Sequence, residues 1–244
     1  KKHDLEYWLD WGNLLGATRH GGFIPWDDDL DIGMMRKDYE KFSEVIEEEV
    51  KRNNLKDVTI FKERYANDNF IVIFIQIGYG GSLGRKLFAG LDIFPYDFMI
   101  DKTEDKEKLY LEEKVDFHTK LIKGVDRKTA FEDYYKKLNL SKEKQKYIIN
   151  GIEGAMGDIY KFKIFETEKI FPLKTIKFED RMLPCPNDCN DHLQKIYGNY
   201  MELPKVIRTH SRISRLRKLD PEVAKEKHEE YITQLREVNK NFFK

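Results

Sequence analysis

Four of the eight residues in the segment 25–32 are aspartates, which makes it the densest group of potentially reactive side chains in the chain. Alternate side chains of an extended strand point to the same side. If Leu30 and Ile32 face a core, the acids on either side of Leu30 share the opposite face. These acids, Asp29 and Asp31, would lie roughly 6.6 Å apart and repel each other by about 2 to 3 kcal/mol. The segment therefore requires a cation or abundant water.

A second acidic position lies in the strand-like segment 91–94, where Asp92 stands between apolar residues. If this strand is a neighbour of the first, Asp29, Asp31 and Asp92 converge from two strands. Three carboxylates, with water and phosphate oxygens completing the shell, suit Mg²⁺, or Mn²⁺ in its place, together with a nucleotide substrate. The spacing alone leaves a second interpretation open, in which an acidic turn is followed by an unrelated buried Asp.

Small residues precede the acids, beginning with Gly12 and ending with Gly16. Glycines let backbone N–H groups approach an anion closely, and the guanidinium of Arg19 can bind a phosphate through two hydrogen bonds. The pattern predicts a short strand at residues 6–9, then a glycine-rich loop and a short helical turn. A glycine-rich loop is a weak signal by itself, but its position before an acidic strand favours a site for metal-bridged phosphates.

The residues from Gly12 onwards resemble the signature of the LicD family of phosphocholine transferases, which is distantly similar to the fukutin-type ribitol-phosphate transferases. The matching block is Gly12-x-Leu14-Leu15-Gly16-x-x-Arg19-His20-x-Gly22-x-Ile24-Pro25-Trp26-Asp27-Asp28-Asp29-x-Asp31. Three later segments also agree: Leu91-Asp92-Ile93-Phe94-Pro95-x-Asp97, then Phe178-Glu179 with Pro184 and Pro186, and Tyr197-Gly198-x-Tyr200-Met201-x-Leu203-Pro204. The resemblance extends from about Tyr7 to His210.

This resemblance implies a nucleotidyltransferase-like fold with Asp29, Asp31 and Asp92 as metal-binding and catalytic acids. Asp27 lies in the same block and is expected at the site, where Asp27 or Asp92 would accept the proton of the acceptor hydroxyl. The positions expected to contact the donor are Gly12, Asn13, Gly16, Arg19, His20, Trp26 and Tyr96. Asn13 departs from the family, which more often has Thr or Ser there, but its amide can still donate to a phosphate.

The resemblance further implies Mg²⁺-dependent transfer of phosphocholine from CDP-choline to a sugar hydroxyl. The acceptor would be a cell-surface glycan precursor of the teichoic acid or lipopolysaccharide type, free or lipid-linked. A nucleotidyltransferase or an alditol-phosphate transferase remains an alternative, because the same acids serve attack at either phosphorus. A non-catalytic glycan-binding relative is a third alternative, which the retention of all three acids disfavours.

A choline group would be recognised by aromatic faces, because its quaternary ammonium has no hydrogen-bond donors. The aromatic residues close to the predicted site are Trp8, Trp11, Trp26, Tyr79 and Tyr96. Most of them are expected in the core. Trp26 and Tyr96 are the best candidates for a cage, because each lies within a few residues of a predicted metal ligand.

Two further motifs compete with this interpretation. Residues 80–84 fit G-x-S-x-G, the nucleophile elbow of hydrolases, but only residues 85–89 separate them from the next predicted strand, where an elbow needs a long helix. A loop near the site is therefore the preferred interpretation. Cys185, Cys189 and His192 are three potential zinc ligands, one fewer than a closed structural site needs, so packing in a loop is preferred over zinc.

Charge and apolar runs exclude some classes of function. The 44 Lys and Arg residues balance the 44 Asp and Glu residues, so the chain is not expected to bind nucleic acid. The apolar run from Phe70 to Ile75 is too short to cross a bilayer, which takes roughly 20 residues. Two cysteines favour a reducing compartment, so we expect a cytoplasmic protein. Within the cytoplasm, the inner face of the plasma membrane is a candidate location.

The segment from Lys205 to Lys218 carries six basic residues and no acid. Such a run usually forms a solvated face. Directly after a family motif, it is also a candidate for binding donor phosphates or for peripheral contact with anionic lipid.

The elements that would position these residues define an α+β class with a nucleotidyltransferase-like mixed sheet, packed helices and a helical C-terminal half. Short β-branched and aromatic segments predict strands at Asp57–Phe61, Phe70–Ile77 and Leu91–Phe94, and a hairpin within Phe171–Pro186. Apolar stripes predict helices at Arg36–Val50, Lys106–Ile122, Lys128–Leu138, Ser141–Phe165, Asp188–Tyr197 and Pro221–Phe243. Residues 1–100 would form the catalytic core, and residues 101–244 a helical part that completes the same domain.

Overall fold

An eight-stranded mixed sheet organises the part of the chain that the computed structural model describes, residues 2–62, 64–67, 70–79, 89–103, 105–153, 163–206 and 218–242. The strands are β1 (Trp8–Leu9), β2 (Leu30–Met35), β3 (Val58–Phe61), β4 (Arg64–Asn67), β5 (Phe70–Val72), β6 (Ile75–Tyr79), β7 (Ala89–Met99), β8 (Leu140–Ser141), β9 (Tyr147–Asn150), β10 (Ile164–Glu166), β11 (Lys174–Phe178) and β12 (Arg181–Cys185). The pairs β4–β5 and β11–β12 stand apart from the main sheet.

The helices are α1 (Trp11–His20), α2 (Arg36–Arg52), α3 (Lys106–Ile122), α4 (Arg127–Leu138), α5 (Thr167–Ile170), α6 (Cys189–Tyr197) and α7 (Pro221–Phe242). The predicted helices that correspond to α2, α3, α4, α6 and α7 are confirmed to within two residues at each end. The predicted hairpin is confirmed as β11–β12. The α+β class is therefore confirmed as well.

The central strand of the sheet is β7, and the strand order around it is β1-β2-β7-β6-β3. β2 and β7 run parallel, whereas the other described pairs of the sheet are antiparallel. The second half of β7 pairs with β8 and β9, which lie beyond residue 100. The predicted mixed sheet is thus confirmed, and strands from the second half of the chain extend it.

Side-chain alternation along β7 separates the two faces of the sheet. Phe94 and Tyr96 point towards α1, where Phe94 contacts Trp11 with ring centroids 5.9 Å apart. Asp97 points to the opposite face, where Arg36 of α2 donates to both of its carboxylate oxygens at 2.7 Å. The face towards α1 therefore receives the even-numbered residues of β7, among them Asp92.

Helix α1 replaces the predicted glycine-rich loop. Its first turn is capped by Asp10, whose side chain accepts a hydrogen bond from the backbone N–H of Trp11 at 2.9 Å. Its end is capped by Gly21 in the left-handed conformation, with φ of 72°. Between these caps Leu14 and Leu15 are buried against the core. Caps and a buried stripe outweigh the low helix propensity of glycine, which is why the loop prediction was wrong.

The predicted helix Ser141–Phe165 was also wrong. Its described residues include β9, the end of β8 and the start of β10, joined by turns and irregular segments, and residues 154–162 lie outside the described part of the chain. Ile148 and Ile149 are both fully buried, although they point to opposite faces of the sheet. A strand covered on both faces has no alternation of apolar and polar residues, so the apolar spacing was consistent with a helix as well. The predicted strand Phe70–Ile77 is likewise divided into β5 and β6.

Candidate active site

Asp31 on β2 and Asp92 on β7 are direct neighbours across the parallel strand pair. Asp29 precedes β2 by one residue and brings a third carboxylate to the same place. One oxygen from each acid lies within 4.8 Å of the oxygens of the other two. The predicted convergence is therefore confirmed, and we call Asp29, Asp31 and Asp92 the acidic cluster.

The first turn of α1 holds the acidic cluster in position. The backbone N–H of Gly12 donates to Oδ2 of Asp31 at 3.2 Å. The side chain of Asn13 accepts from the backbone N–H of Asp31 and donates to the carbonyl of Asp29 at 3.2 Å. Asn13 is only 1% exposed. Its amide therefore positions the two acids, instead of reaching the donor as predicted.

Gly12 allows the helix to approach the acids closely. A Cβ atom at this position would lie 2.5 Å from Oδ2 of Asp27 and 3.3 Å from Oδ2 of Asp31. Both carboxylates thus occupy the space that a side chain would need. Gly12 and Asp27 are both at the site, as predicted, while their contact with a substrate stays a prediction.

Negative charge accumulates around Asp31. Burial raises the pKa of Asp31 well above its ordinary value, and the nearby charges of Asp29 and Asp27 raise it further. Asp10 acts in the same direction, whereas the hydrogen bond from Gly12 lowers this pKa. A bound cation would offset this repulsion.

The donor set fits a hard divalent cation. Mg²⁺ binds oxygen ligands at about 2.0 to 2.1 Å, which places the ligand oxygens of one ion about 3 to 4 Å apart. The three oxygens of the acidic cluster lie within 4.8 Å of one another, so small movements of the side chains would bring them to this spacing. Asp29 also belongs to a second group of close carboxylates, with Asp27 and Asp28.

Gln76 is a site residue that the sequence analysis missed. It lies on β6 directly opposite Asp92, and its Nε2 donates to Oδ2 of Asp92 at 3.1 Å. Its side chain is buried. The signal that could have identified it is a single polar residue in the otherwise apolar run from Phe70 to Ile77.

Tyr96 does not line the site. It is 0% exposed, and its hydroxyl donates to Oδ2 of Asp10 at 2.6 Å. Burial, followed by the charge of Asp10, raises the pKa of Tyr96 well above its ordinary value, so the phenol keeps its proton. The prediction that Tyr96 contacts a choline group is wrong, because its ring is enclosed by Trp8 of β1, at 5.0 Å between ring centroids, and by Phe165 of β10, at 6.2 Å.

Trp26 remains a candidate for contact with the donor. It is half-buried next to Asp27, and its ring meets that of His20 edge-on at 6.4 Å. Trp8 and Tyr79, two other predicted cage residues, are buried in the core. Trp11 is half-buried and contacts Tyr197 at 6.4 Å between ring centroids.

Tyr197, at the end of α6, is a second aromatic residue near the acids. Burial raises the pKa of Tyr197 well above its ordinary value, and the charges of Asp31, Asp10 and Asp27 raise it further. The residue as a whole is 41% exposed. Tyr197 is therefore a partly exposed aromatic residue that lies close enough to these acids for their charges to affect it. It stands in a matched segment, but its role was not identified from the sequence.

Arg19 and His20 lie at the other end of α1, about 10 Å along the helix from Gly12. Nη1 of Arg19 donates to the carbonyl of Tyr200 at 3.0 Å, and Nε donates to Nε2 of His20 at 3.1 Å. The structure thus separates Arg19 from Gly12 along α1, and the prediction that the two orient the phosphates of the donor stays a prediction.

Gly16 serves packing. A Cβ atom at Gly16 would lie 2.4 Å from the carbonyl oxygen of Gly22. The turn that follows is held by Glu179, whose carboxylate accepts from the backbone N–H of Phe23 at 3.0 Å. This turn leads into the acidic segment, so Gly16 and Glu179 act on the site through the backbone.

The competing motifs give no second site among the described residues. Nε2 of His192 is 2.8 Å from Oδ1 of Asp10, so this ring nitrogen does not face the thiols of Cys185 and Cys189. Within the described ranges, every cluster of three or more potential metal ligands consists of carboxylates. The G-x-S-x-G segment, residues 80–84, lies outside the described residues.

The predicted membrane contact is not tested by the structure. Residues 207–217, which hold most of the basic run, are outside the described part of the chain. In the part that is described, none of the helices has both the length and the apolar character needed to cross a bilayer.

Comparison with known proteins agrees with the geometry. Residues 4–135 match the family described as LicD/FKTN/FKRP, nucleotidyltransferase domain. The lipopolysaccharide cholinephosphotransferase LicD of Haemophilus influenzae is 27% identical over 231 residues, a match that covers 84% of this chain and 85% of that protein. Ribitol 5-phosphate transferase FKRP is 56% identical over 34 residues in both Mus musculus and Homo sapiens, which covers 14% of this chain and 7% of FKRP.

The family match includes α1, β2 and β7, the three elements that carry the acidic cluster and its Gly12 contact. It also spans more than half of the 244 residues. The chain therefore belongs to the LicD/FKTN/FKRP nucleotidyltransferase-domain family and is a transferase of phosphate-containing groups.

Proposed function

We propose that this protein transfers phosphocholine from CDP-choline to a sugar hydroxyl of a cell-surface glycan precursor, with Mg²⁺ or Mn²⁺ as its cofactor. The observation that carries the proposal is the acidic cluster beside the backbone N–H of Gly12, in a chain of this family. The choline donor and the glycan acceptor are supported by the similarity to a lipopolysaccharide cholinephosphotransferase over most of the chain. A teichoic acid precursor presents the same kind of hydroxyl.

In this proposal Asp29, Asp31 and Asp92 hold the cation, which when bound supplies positive charge to the diphosphate and the CMP leaving group. The N-terminus of α1 adds its own positive potential at Gly12, since its first N–H groups have no partners within the helix. Gln76 and Asn13 keep the acids oriented through hydrogen bonds. Such preorganised groups lower the barrier because they need not rearrange during the reaction.

The transfer step moves one phosphoryl group between two oxygens. The acceptor hydroxyl oxygen forms a bond to the phosphorus that carries choline, and the bond from this phosphorus to the CMP oxygen breaks. The hydroxyl proton passes to a carboxylate. Asp27 is the best candidate, because it lies against Gly12 and is not needed in the acidic cluster.

The choline group would lie against Trp26 and Tyr197. Trp26 adjoins Asp27, and Tyr197 is partly exposed beside the same acids. A quaternary ammonium is attracted both to aromatic faces and to nearby carboxylates. We place the reaction in the cytoplasm, at the inner face of the plasma membrane, where a lipid-linked acceptor would be available.

Ribitol phosphate is the second candidate group, favoured by the short match at 56% identity to FKRP. A polar alditol needs hydrogen-bond partners instead of an aromatic cage. A non-catalytic glycan-binding role is disfavoured, because the acids converge and are braced by Gly12, Asn13 and Gln76.

The test is a transfer assay with the purified protein, Mg²⁺, CDP-choline and a lipopolysaccharide or teichoic acid precursor, analysed by mass spectrometry. We expect a glycan that has gained phosphocholine, together with free CMP. A glycan that gains CMP would show nucleotidyl transfer instead, and product from CDP-ribitol alone would show the alditol-phosphate reaction. Asp31→Asn is the inactive control, and Asp180→Asn, with an exposed side chain on the β11–β12 turn, is the active one.

A further inference from the structure

Beneath the acidic cluster, the fully buried carboxylate of Asp10 joins three elements of the fold. Its Oδ1 accepts from the backbone N–H of Trp11 at 2.9 Å and lies 2.8 Å from Nε2 of His192 on α6. Its Oδ2 accepts from the hydroxyl of Tyr96 on β7 at 2.6 Å. A carboxylate offers only acceptors here, so the His192 ring must donate through Nε2.

The environment of His192 gives it a fixed orientation. The ring is fully buried and stacks on Phe165, with centroids 4.4 Å apart and planes 18° apart. Its Nδ1 has no hydrogen-bond partner among the described residues. Burying a polar ring costs free energy unless hydrogen bonds replace those made to water. The contact with Asp10 is the interaction that offsets this cost for His192.

Asp10 is also connected directly to the acids. Its backbone N–H donates to the carbonyl of Asp31 at 3.0 Å, and its side chain caps the helix whose second residue, Gly12, donates to the Asp31 carboxylate. The side chain of the next residue, Asn13, hydrogen-bonds to the backbone of Asp29 and of Asp31. Tyr96 lies on the same strand as Asp92. A shift of Asp10 would therefore move the ligands of the acidic cluster relative to one another.

We propose that His192 and Tyr96 are positioning residues that set the divalent-cation affinity of the acidic cluster through Asp10. They hold the first turn of α1 against β2 and β7 from two directions, and this turn orients Asp29 and Asp31. The inference rests on the cation-dependent function proposed above. It assigns a role to His192, which the sequence associated with zinc, and to Tyr96, which the sequence associated with choline.

The test measures binding of Mn²⁺ alone to the full chain, by the paramagnetic resonance signal of free Mn²⁺, for His192→Leu, His192→Gln and Tyr96→Phe. Residues that orient metal ligands typically change metal affinity by about 10- to 100-fold when they are replaced. We expect His192→Leu and Tyr96→Phe to weaken Mn²⁺ binding by about 10-fold or more. His192→Gln, whose amide can donate from near the position of Nε2, should recover most of the affinity.

The controls separate positioning from general damage to the core. Tyr134→Phe removes a buried hydroxyl that has no hydrogen-bond partner among the described residues, and His228→Leu changes an exposed histidine on α7. Both should bind Mn²⁺ like the wild type. If His192→Leu does not fold, as judged by its thermal transition, Tyr96→Phe carries the test, because it loses only one oxygen atom.

Wild-type Mn²⁺ affinity in folded Tyr96→Phe and His192→Leu would overturn the inference and leave the proposed function intact. Normal Mn²⁺ binding by the wild type without phosphocholine transfer would overturn the proposed donor and leave the positioning role intact. Absence of Mn²⁺ binding in the wild type would overturn both.

Discussion

Asp31 and Asp92 lie side by side on the parallel strands β2 and β7, and the backbone N–H of Gly12 reaches the Asp31 carboxylate from α1. Two distant parts of the chain therefore supply one cluster of negative charge. Since burial and neighbouring acids raise the pKa of Asp31 well above its ordinary value, this cluster is unfavourable without a cation.

The first prediction concerns the acidic cluster itself. Asp29→Asn, Asp31→Asn and Asp92→Asn should each reduce phosphocholine transfer by about 100-fold or more, because each removes a cation ligand. Without added metal, the melting temperature should stay equal or rise, because the repulsion between the acids falls. Transfer rates and thermal melts check both parts, and substantial activity in two of the three variants would show that the assignment is wrong.

The second prediction distinguishes two glycines of α1. Gly12→Ala should reduce turnover by about 10-fold or more with little loss of stability, because its Cβ would displace the carboxylates of Asp27 and Asp31 while alanine favours the helix by about 1 kcal/mol. Gly16→Ala should instead lower the free energy of unfolding by about 1 to 3 kcal/mol, because its Cβ would meet the backbone of Gly22. Denaturant titration and transfer rates test the contrast. The reverse pattern would remove Gly12 from the site.

The third prediction tests how choline is recognised. Trp26→Leu should reduce the preference for CDP-choline over CDP-ribitol by about 2- to 30-fold, the equivalent of one cation–π contact. Mn²⁺ binding should change little. Phe23→Leu is the matched control, since Phe23 is exposed three residues away and contacts Phe178. Equal transfer from both donors by the wild type would contradict the choline assignment.

The fourth prediction concerns pH and the buried Lys114 of α3. Burial lowers the pKa of Lys114 from 10.5 to about 8. Between these two pH values the unfolded chain binds one proton more than the folded chain at this lysine, so stability should rise with pH across this window. Below pH 8 the buried charge is destabilising, and Lys114→Met should raise the free energy of unfolding at pH 7 by up to about 3 kcal/mol.

The gain from Lys114→Met should shrink as the pH rises from 8 towards 10.5. Urea titrations across this range measure the free energy of unfolding. Lys108→Met, whose side chain is 81% exposed on the same helix, should follow the wild-type profile. A gain from Lys114→Met that does not depend on pH would show that packing, and not the buried charge, is responsible.

The local chemistry of this protein could be predicted from its amino-acid sequence. The aspartates and glycines of the segment 12–31 indicated the site, and the apolar stripes of α2, α3 and α7 defined those helices almost to the residue. Both features can be recognised locally, because the periodic spacing of apolar residues in a strand or helix is visible within a short stretch of sequence. The matched family block is local in the same sense.

Which of these local features act together depends on contacts between distant parts of the chain. The pairing of β2 with β7 brought Asp92 to Asp31, and the docking of α6 brought His192 to Asp10, across distances that no spacing in the sequence encodes. Tertiary structure also buried Tyr96, because the ring is covered by Trp8 and Phe165, which come from distant parts of the chain. The strand β9 was missed for the same reason, since burial on both faces is a property of the assembled sheet and leaves no alternation in the sequence.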